Sequence, residues 1–327
     1  MADKEENKIR NGLMKATDDE LIEAWSRLQS ATKVAAALGM SIRRVNSRRR
    51  QIEVERKIQL NAAHRVYGNQ TGRVDLGILN GTVIVFSDAH FWGSRSTSHK
   101  GLIWAIRTLK PQAVICNGDA FDGASISRHP RIGWTKQPSV LEELKACGDA
   151  LGEIEEVTKK ARHNAWLVWC LGNHDARYEN FLAAHASQYE NVKGFQLRDH
   201  FPQWRPAWAC WVNESTVVKH RYKGGIHATH NNTLNSGLNI VTGHLHSLKV
   251  TPFTDYRGTR YGVDTGCLAE PDGKQFSDYL EMNPTNWRSG FAVLTFKDGE
   301  LLMPELAMKF RDDVIQFRGE LIDVSKE

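Results

Sequence analysis

Five short blocks of Asp, Asn and His each stand directly behind an apolar run of strand length, and their order constrains the fold more than any bulk property. Ser87-Asp88-Ala89-His90 follows Thr82 to Phe86, Asn117-Gly118-Asp119 closes Ala113 to Asn117, and Gly172-Asn173-His174-Asp175 closes Trp166 to Leu171. His220 follows Thr216 to Lys219, and Gly243-His244-Leu245-His246 follows Asn239 to Thr242. Helical patterns over Gly101 to Leu109, Ser139 to Ala161 and about Ala176 to Ser187 lie between the runs, so the class is α/β. Asn80-Gly81, between Val74 to Leu79 and Thr82 to Phe86, predicts a hairpin. Turns at Arg257-Gly258 and Asp298-Gly299 predict an antiparallel tail. In α/β sheets ligands bind beyond the carboxyl ends of the strands, where all five blocks fall.

The residue types suit metal ions. In extended chain, residues i and i+2 share a face, so Asp88 with His90 can grip one ion. By the same spacing His244 and His246 can aim into one cleft. Gly118, Gly172 and Gly243 let the backbone come close to the ions. Oxygen and nitrogen donors without a thiolate suit manganese first, with iron, zinc, cobalt or nickel as substitutes, and argue against a structural zinc knuckle.

The ordered set resembles the calcineurin-like metallophosphoesterase family, whose pattern is D-x-H, G-D-x-x-D, G-N-H-D/E, H and G-H-x-H. The resemblance covers roughly Val74 to Leu301. It implies two facing sheets flanked by helices, and two divalent metal ions. Asp88, His90, Asp119 and His246 would hold the first ion, and Asp119 would bridge to a second completed by Asn173, His220 and His244. His174 would stand, positively charged, beside the leaving oxygen. One block departs from the pattern: the isolated histidine is usually followed by Gly, whereas His220 is followed by Arg221. His227 and His230 are nearby rivals; His220 is preferred because it ends a strand.

Two cations about 3.5–4 Å apart acidify water and clamp phosphoryl oxygens during in-line attack. The metal-bound histidines must be neutral and His174 protonated, so activity should fall at both pH extremes. Asp175 joins His174 as a catalytic candidate, with Asp122, by orienting imidazoles or bound water. Of Arg95, Arg128, Arg177 and Arg221 beside the motif loops, Arg177 is the one taken as substrate-binding. His64, His99, His129, His163, His185 and His200 lie outside the blocks and read as surface or core residues. Trp204, Trp208 and Trp211 could stack on bases, but core packing is the commoner role and no function is assigned to them; Trp287 to Phe291 reads as the approach to a strand.

The front of the chain is different. Net charge is +5, yet residues 1–73 hold 15 Lys and Arg against 9 Asp and Glu, so the basic surplus belongs to that segment. Such a surplus points to a polyanionic partner. Thr17-Asp18-Asp19-Glu20 forms a capping box, with Leu21, Ile22, Trp25 and Leu28 at helical spacing behind it. A short helix over about Ala31 to Leu38 ends at Gly39, and Ser41 caps a third. This is a helix-turn-helix pattern. On the third helix Ile42, Val45 and Ile52 form a docking face. Arg43, Arg44, Ser47, Arg50 and Gln51 lie opposite, with Arg48 at the margin, as DNA recognition requires. The expected domains are residues 1–60 (helix-turn-helix), 61–73 (linker) and 74–327 (phosphoesterase). The fusion resembles phage-encoded members of the family.

Together these features imply a phosphodiesterase or nuclease acting on nucleic acid, DNA before RNA. A small nucleotide substrate, or a DNA-binding regulator without catalysis, are the alternatives. Apolar runs are too short to cross a membrane, and residues 1–10 lack a signal-peptide core. Five cysteines without C-x-x-C spacing fit a reducing cytoplasm, the host's if the chain is phage-encoded.

Overall fold

Strand β2 (Gly81–Phe86) shows how two layers share one core. Its side chains alternate, so Val83 and Val85 point to one side and Ile84 and Phe86 to the other, and all four are buried. A strand covered on both faces belongs in the middle of a layered protein. The computed structural model describes residues 16–28, 31–58, 60, 72–93, 95–128, 134, 136–273, 276 and 283–327.

At the front, α1 (Asp18–Leu28), α2 (Ala31–Ala37) and α3 (Ile42–Arg56) enclose their own cluster of Leu21, Ala24, Trp25, Val34, Ala35, Val45, Ile52 and Leu60. Thr17 and Glu20 form the reciprocal cap of α1, Gly39 turns left-handed at φ 61°, and Ser41 Oγ accepts from Arg44 N. Ile42 does not join this core; it is 47% exposed. It stands at the first position of α3, where the helix has not yet reached its neighbours. Most of the expected linker, residues 61–71, lies outside the described residues, as do His64 and His129.

After β1 (Arg73–Leu76) and β2, the chain builds α4 (Thr97–Leu109), β3 (Ala113–Cys116), α5 (Val140–Ala161), β4 (Trp166–Cys170), α6 (Asp175–His185), β5 (Arg205–Ala207), β6 (Ala209–Val212) and β7 (Thr216–Val218). Then come α7 (Ala228–Ser236), β8 (Asn239–Thr242), β9 (Lys249–Asp255), β10 (Gly258–Asp264), β11 (Gly290–Lys297), β12 (Glu300–Leu301), β13 (Glu305–Arg311), β14 (Val314–Phe317) and β15 (Glu320–Asp323).

Two sheets result. One has the order β1-β6-β7-β8-β10-β9; the other runs β15-β14-β13-β11-β2-β3-β4-β5, with β12 beside β11. Val83, Val85, Ile115, Val168 and Cys170 of the larger sheet meet Val74, Leu76, Val212, Val218, Val241 and Val263 of the smaller. On its outer face Ile84, Phe86, Val114 and Trp169 pack under Leu102 and Ile106 of α4 and Leu151 and Ile154 of α5. Each such fully buried aliphatic or Phe side chain contributes about 1.5–3 kcal/mol. All five cysteines are free and buried, as small hydrophobes. No helix among the described residues is long and apolar enough to cross a membrane.

The expected hairpin at Asn80-Gly81 does not form. Strand β1 pairs in parallel with β6 of the smaller sheet, whereas β2 pairs with β3 and β11 of the larger. Asn80-Gly81 is instead a crossing between layers, and Asn80 Oδ1 accepts from Asp298 N at 3.0 Å. The hairpins at Arg257-Gly258 and Asp298-Gly299 form as β9–β10 and β11–β12. Helix α7 escapes sequence reading because it is short and weakly amphipathic; it carries His230, with His227 just before it, both exposed.

Candidate metal centre

Strands β2, β3 and β4 run parallel, so their carboxyl ends lie side by side. The loops leaving them carry Asp88 and His90, Asp119, and Asn173 with His174, while β7 and β8 deliver His220, His244 and His246. Beyond the strands the chain cannot stay extended and still aim its side chains inward. Asp88, His90, Asp119, His244 and His246 all take positive φ, between 40° and 71°. Alternation along an extended strand is therefore not what pairs Asp88 with His90.

Among the described residues donor atoms collect in three groups, each within 4.8 Å: Asp88 with His90 and His246, Asp119 with His220 and His244, and Asp122 with His90 and His174. His244 and His246 thus fall in different donor groups of the centre. His246 Nε2 lies 3.1 Å from Asp88 Oδ1, and His220 Nε2 lies 3.0 Å from Asp119 Oδ2. His220 Nδ1 is 2.8 Å from the Asn117 carbonyl, which accepts its proton and leaves Nε2 as the nitrogen that faces inward. Neither His227 nor His230 joins a group.

The donor set fits divalent cations. Asn173 Oδ1 is buried without a hydrogen-bond partner among the described residues, and Asp88 Oδ1 and His220 Nε2, although 3.1 Å from His246 and 3.0 Å from Asp119, are not in hydrogen-bond geometry with them. Buried polar atoms are ordinarily satisfied, so lone pairs left aimed inward mark a ligand position. The glycines make room. A Cβ on Gly172 would stand 2.1 Å from Asp119 Oδ1, and one on Gly118 2.4 Å from His220 Nδ1.

Charge in the centre is dense. Burial alone would lift the Asp88 carboxyl, but His246 and His220 hold it at about 2. Asp119 is likewise held far below the carboxylate range by His220 and His174 against its burial. His220 answers them: burial opposes its proton, yet Asp119 and Asp88 push it up to about 10. His244 moves down, through burial and the neighbouring His220.

Asp122 couples the two sides. Its Oδ1 lies 2.6 Å from His174 Nδ1 and 3.0 Å from His90 Nδ1. Against burial, that bond and Asp119 raise the His174 imidazole above its usual value. Arg177 donates to the Asp122 carbonyl (2.9 Å) and sits 3.1 Å from His174 Nε2, so it stands at the centre as expected. Arg95 is paired with Glu153, and Arg128 and Arg221 are exposed.

Asp175 is not placed for catalysis. It is buried and accepts from the amides of Asp119, Ala120, Phe121 and Gly172 and from Trp169 Nε1, at 2.7–3.1 Å. It holds the loop that carries Asp119 and orients no imidazole. On α3, Arg48 Nη2 turns back to Asp18 Oδ1 at 2.6 Å and Gln51 donates to Glu55, whereas Arg43, Arg44, Ser47 and Arg50 are exposed. Arg48 lies over the start of α1, whose carboxylate outcompetes solvent for it.

Four residues around the centre gave no sequence signal. Asp264 Oδ1 accepts from Ser247 N and Gly266 N beneath His246. Glu143, buried on α5, accepts from Ala124 N behind Asp122. Phe276 and Trp287 ring the His90–His246 side, the Trp287 and His246 rings 4.4 Å apart. Each sits far in sequence from the block it supports, in residue types common elsewhere.

A family model described as calcineurin-like phosphoesterase matches residues 81–259, more than half of the chain and the whole span from Asp88 to His246. The chain is also similar to Gene 54 protein of Mycobacterium phage L5, 25% identical over 248 residues, which covers 68% of this chain and 92% of that protein. Among solved structures, wild-type Vps29 complexed with zinc from Entamoeba histolytica aligns with TM-score 0.40 and 14% identity, over 75% of this chain and 99% of that one. A dimetal phosphatase from Danio rerio aligns with TM-score 0.35 and 10% identity, over 76% and 100%.

Proposed function

The chain belongs to the calcineurin-like phosphoesterase family and is a metal-dependent phosphoesterase; from that premise we propose that it hydrolyses phosphodiester bonds in nucleic acid, DNA before RNA. Two manganese ions would sit at the centre, one held by Asp88, His90 and His246, the other by Asn173, His220 and His244, with Asp119 between them. Bound cations supply Lewis acidity to the phosphoryl oxygens and lower the pKa of water. His174 holds a proton for the departing oxygen, and Asp122, 2.6 Å from Nδ1, stabilises the imidazolium. Arg177 opposes that charge from 3.1 Å, an opposition relieved when its guanidinium turns to a substrate phosphoryl oxygen.

The observation that carries the nucleic-acid reading is the presence on one chain of this centre and of α3, whose Arg43, Arg44 and Arg50 all face solvent. Helices α1 to α3 act as a tether, a helix-turn-helix that raises the local concentration of a polyanionic substrate. The phage relative supports an origin in a phage and action in the host cytoplasm.

The test offers Mn²⁺-loaded full-length protein a plasmid, single-stranded DNA, bis(4-nitrophenyl) phosphate and 4-nitrophenyl phosphate. Cleavage of DNA is expected. In the triple variant Arg43→Ala, Arg44→Ala, Arg50→Ala the slope of log affinity against log salt should flatten by about three, near 0.9 per lost phosphate contact. Turnover of aryl esters with both DNA forms intact would instead indicate a small nucleotide substrate.

A further inference from the structure

Trp287 is in the wrong place for a core residue. It belongs to none of the hydrophobic clusters of the described residues and stays partly exposed. The rings it meets belong to the centre instead. His246 is 4.4 Å away at an interplanar angle of 61°, and Phe276 is 5.3 Å away at 78°. Phe276 in turn stands 5.3 Å from His90. These contacts form an edge-to-face chain along one side of the Asp88, His90 and His246 group.

The backbone holds Trp287 there. Arg288 N donates to the His246 carbonyl at 2.8 Å, and Cys267 N donates to the Arg288 carbonyl at 3.1 Å. The segment is thus fastened directly to His246. Arg288 itself is exposed, its guanidinium resting on Asn286 Oδ1 at 2.9 Å and the Ser247 carbonyl at 3.3 Å. These acceptors, with the Asn286 carbonyl at 3.4 Å, are all uncharged, and no carboxylate pairs with Arg288 among the described residues. A flat aromatic ring beside a guanidinium that meets no carboxylate among the described residues, both pinned to the edge of a phosphoester centre, matches one repeating unit of a nucleic acid strand: a base and the next phosphate.

We propose that Trp287 and Arg288 form a nucleotide subsite on the His246 side, where Trp287 stacks on the base adjoining the scissile phosphate and Arg288 holds the neighbouring phosphate. This rests on the nucleic-acid reading above and narrows it: single-stranded or locally opened strand is the substrate form, because a base inside a duplex has no free face to stack. Preference among the four bases is weak, since every base offers a π face.

The experiment measures kcat/KM of the Mn²⁺-loaded full-length enzyme on thymidylyl-thymidine and on its two abasic analogues, one lacking each base. The wild-type enzyme should lose roughly 5- to 100-fold on one analogue, the span expected for one base–aromatic contact. Trp287→Ala should remove that discrimination, and Trp287→Phe should restore part of it. On the thymidine trinucleotide, added as a fourth substrate, the wild-type enzyme should gain several-fold over the dinucleotide and Arg288→Ala should abolish that gain; an equal gain in the variant overturns the part given to Arg288. If Trp287 only props His246, Trp287→Ala lowers all three substrates alike and the ratio between them stays at its wild-type value, which overturns the subsite. Equal rates of the wild-type enzyme on intact and abasic dinucleotides overturn it without any variant. Both results leave the nuclease reading standing. Hydrolysis of bis(4-nitrophenyl) phosphate with no dinucleotide cleaved takes down that reading, and the subsite with it.

Discussion

Asp175→Ala separates a loop clamp from a catalyst. In the native protein its Oδ2 accepts from the amides of Asp119 and Gly172 and from Trp169 Nε1, and its Oδ1 from the amides of Ala120 and Phe121. Alanine leaves five buried donors without an acceptor. At about 1–3 kcal/mol for each orphaned donor, the loss is roughly 5–15 kcal/mol. One effect opposes it. Burial and the Asp119 charge push the Asp175 carboxyl up to about 6, so at pH 8 it is ionised at a disadvantage. Removing that carboxylate returns about 3 kcal/mol, taking 1.36 kcal/mol per pKa unit above an unfolded value near 3.9. The net loss, about 2–12 kcal/mol, is comparable with the whole stability of a folded domain. Thermal unfolding at pH 8 in EDTA should therefore show a melting temperature lower by at least about 4 °C, or no cooperative transition. Asp175→Asn keeps one oxygen and should fall between. If the alanine variant melts like wild type and only kcat collapses, Asp175 touches the reaction and the clamp is wrong.

His174→Ala should leave the melting temperature within a few degrees but lower kcat by about 10²–10⁴, the usual worth of a general acid; retained turnover would remove its role. Glu143, pushed up to about 7 by burial, holds its proton in the native state over a range where the unfolded chain, titrating near 4.3, does not. Stability should fall by about 3–4 kcal/mol as pH rises from 4.3 to 7. Glu143→Gln should flatten that stretch in urea titrations at pH 5 and 7.5, and an unchanged slope would contradict it. Adding Mn²⁺ at a hundred times its Kd to EDTA-treated protein should raise stability by about 2.7 kcal/mol per site. Asp119→Asn should forfeit most of that gain, and an equal gain in the variant would place the cations elsewhere.

The centre was legible in the sequence because apolar strand, glycine and ligand recur in one order, and strand ends converge in an α/β fold whatever the intervening loops do. Gly172 illustrates why the glycines belong to that signal: its missing Cβ would occupy the space of Asp119 Oδ1. What stayed illegible was non-local. Asn80-Gly81 has the local chemistry of a hairpin, but turn residues do not say which sheet the next strand will join, and β2 finds β3 and β11. Asp175, adjacent to His174, reads as a participant; only the folded loop brings the Asp119, Ala120 and Phe121 amides to it. Arg48 shares a helix with Arg43 and Arg44, yet Asp18, thirty positions earlier, takes it out of the exposed face.

The left-handed turns explain why the i, i+2 rule pointed to residues that do gather, though not by strand alternation. Non-glycine residues at positive φ are uncommon and cost about 1 kcal/mol or more each, least for Asp, Asn and His. Asp88, His90, Asp119, His244 and His246 all adopt it, with the main chain paired around them. Asp88 N donates to the Gly118 carbonyl and His90 N to the Asp119 carbonyl, both at 2.9 Å, while Gly243 N donates to the His220 carbonyl at 2.8 Å. The loop after each strand is thus fastened to the loop after its neighbour. The motif spacing records how many residues one left-handed turn needs to bring a second donor inward. On this argument the backbone aims the donors and a cation is left little to organise, so the strain stored in five turns is offset by loops that hold one another.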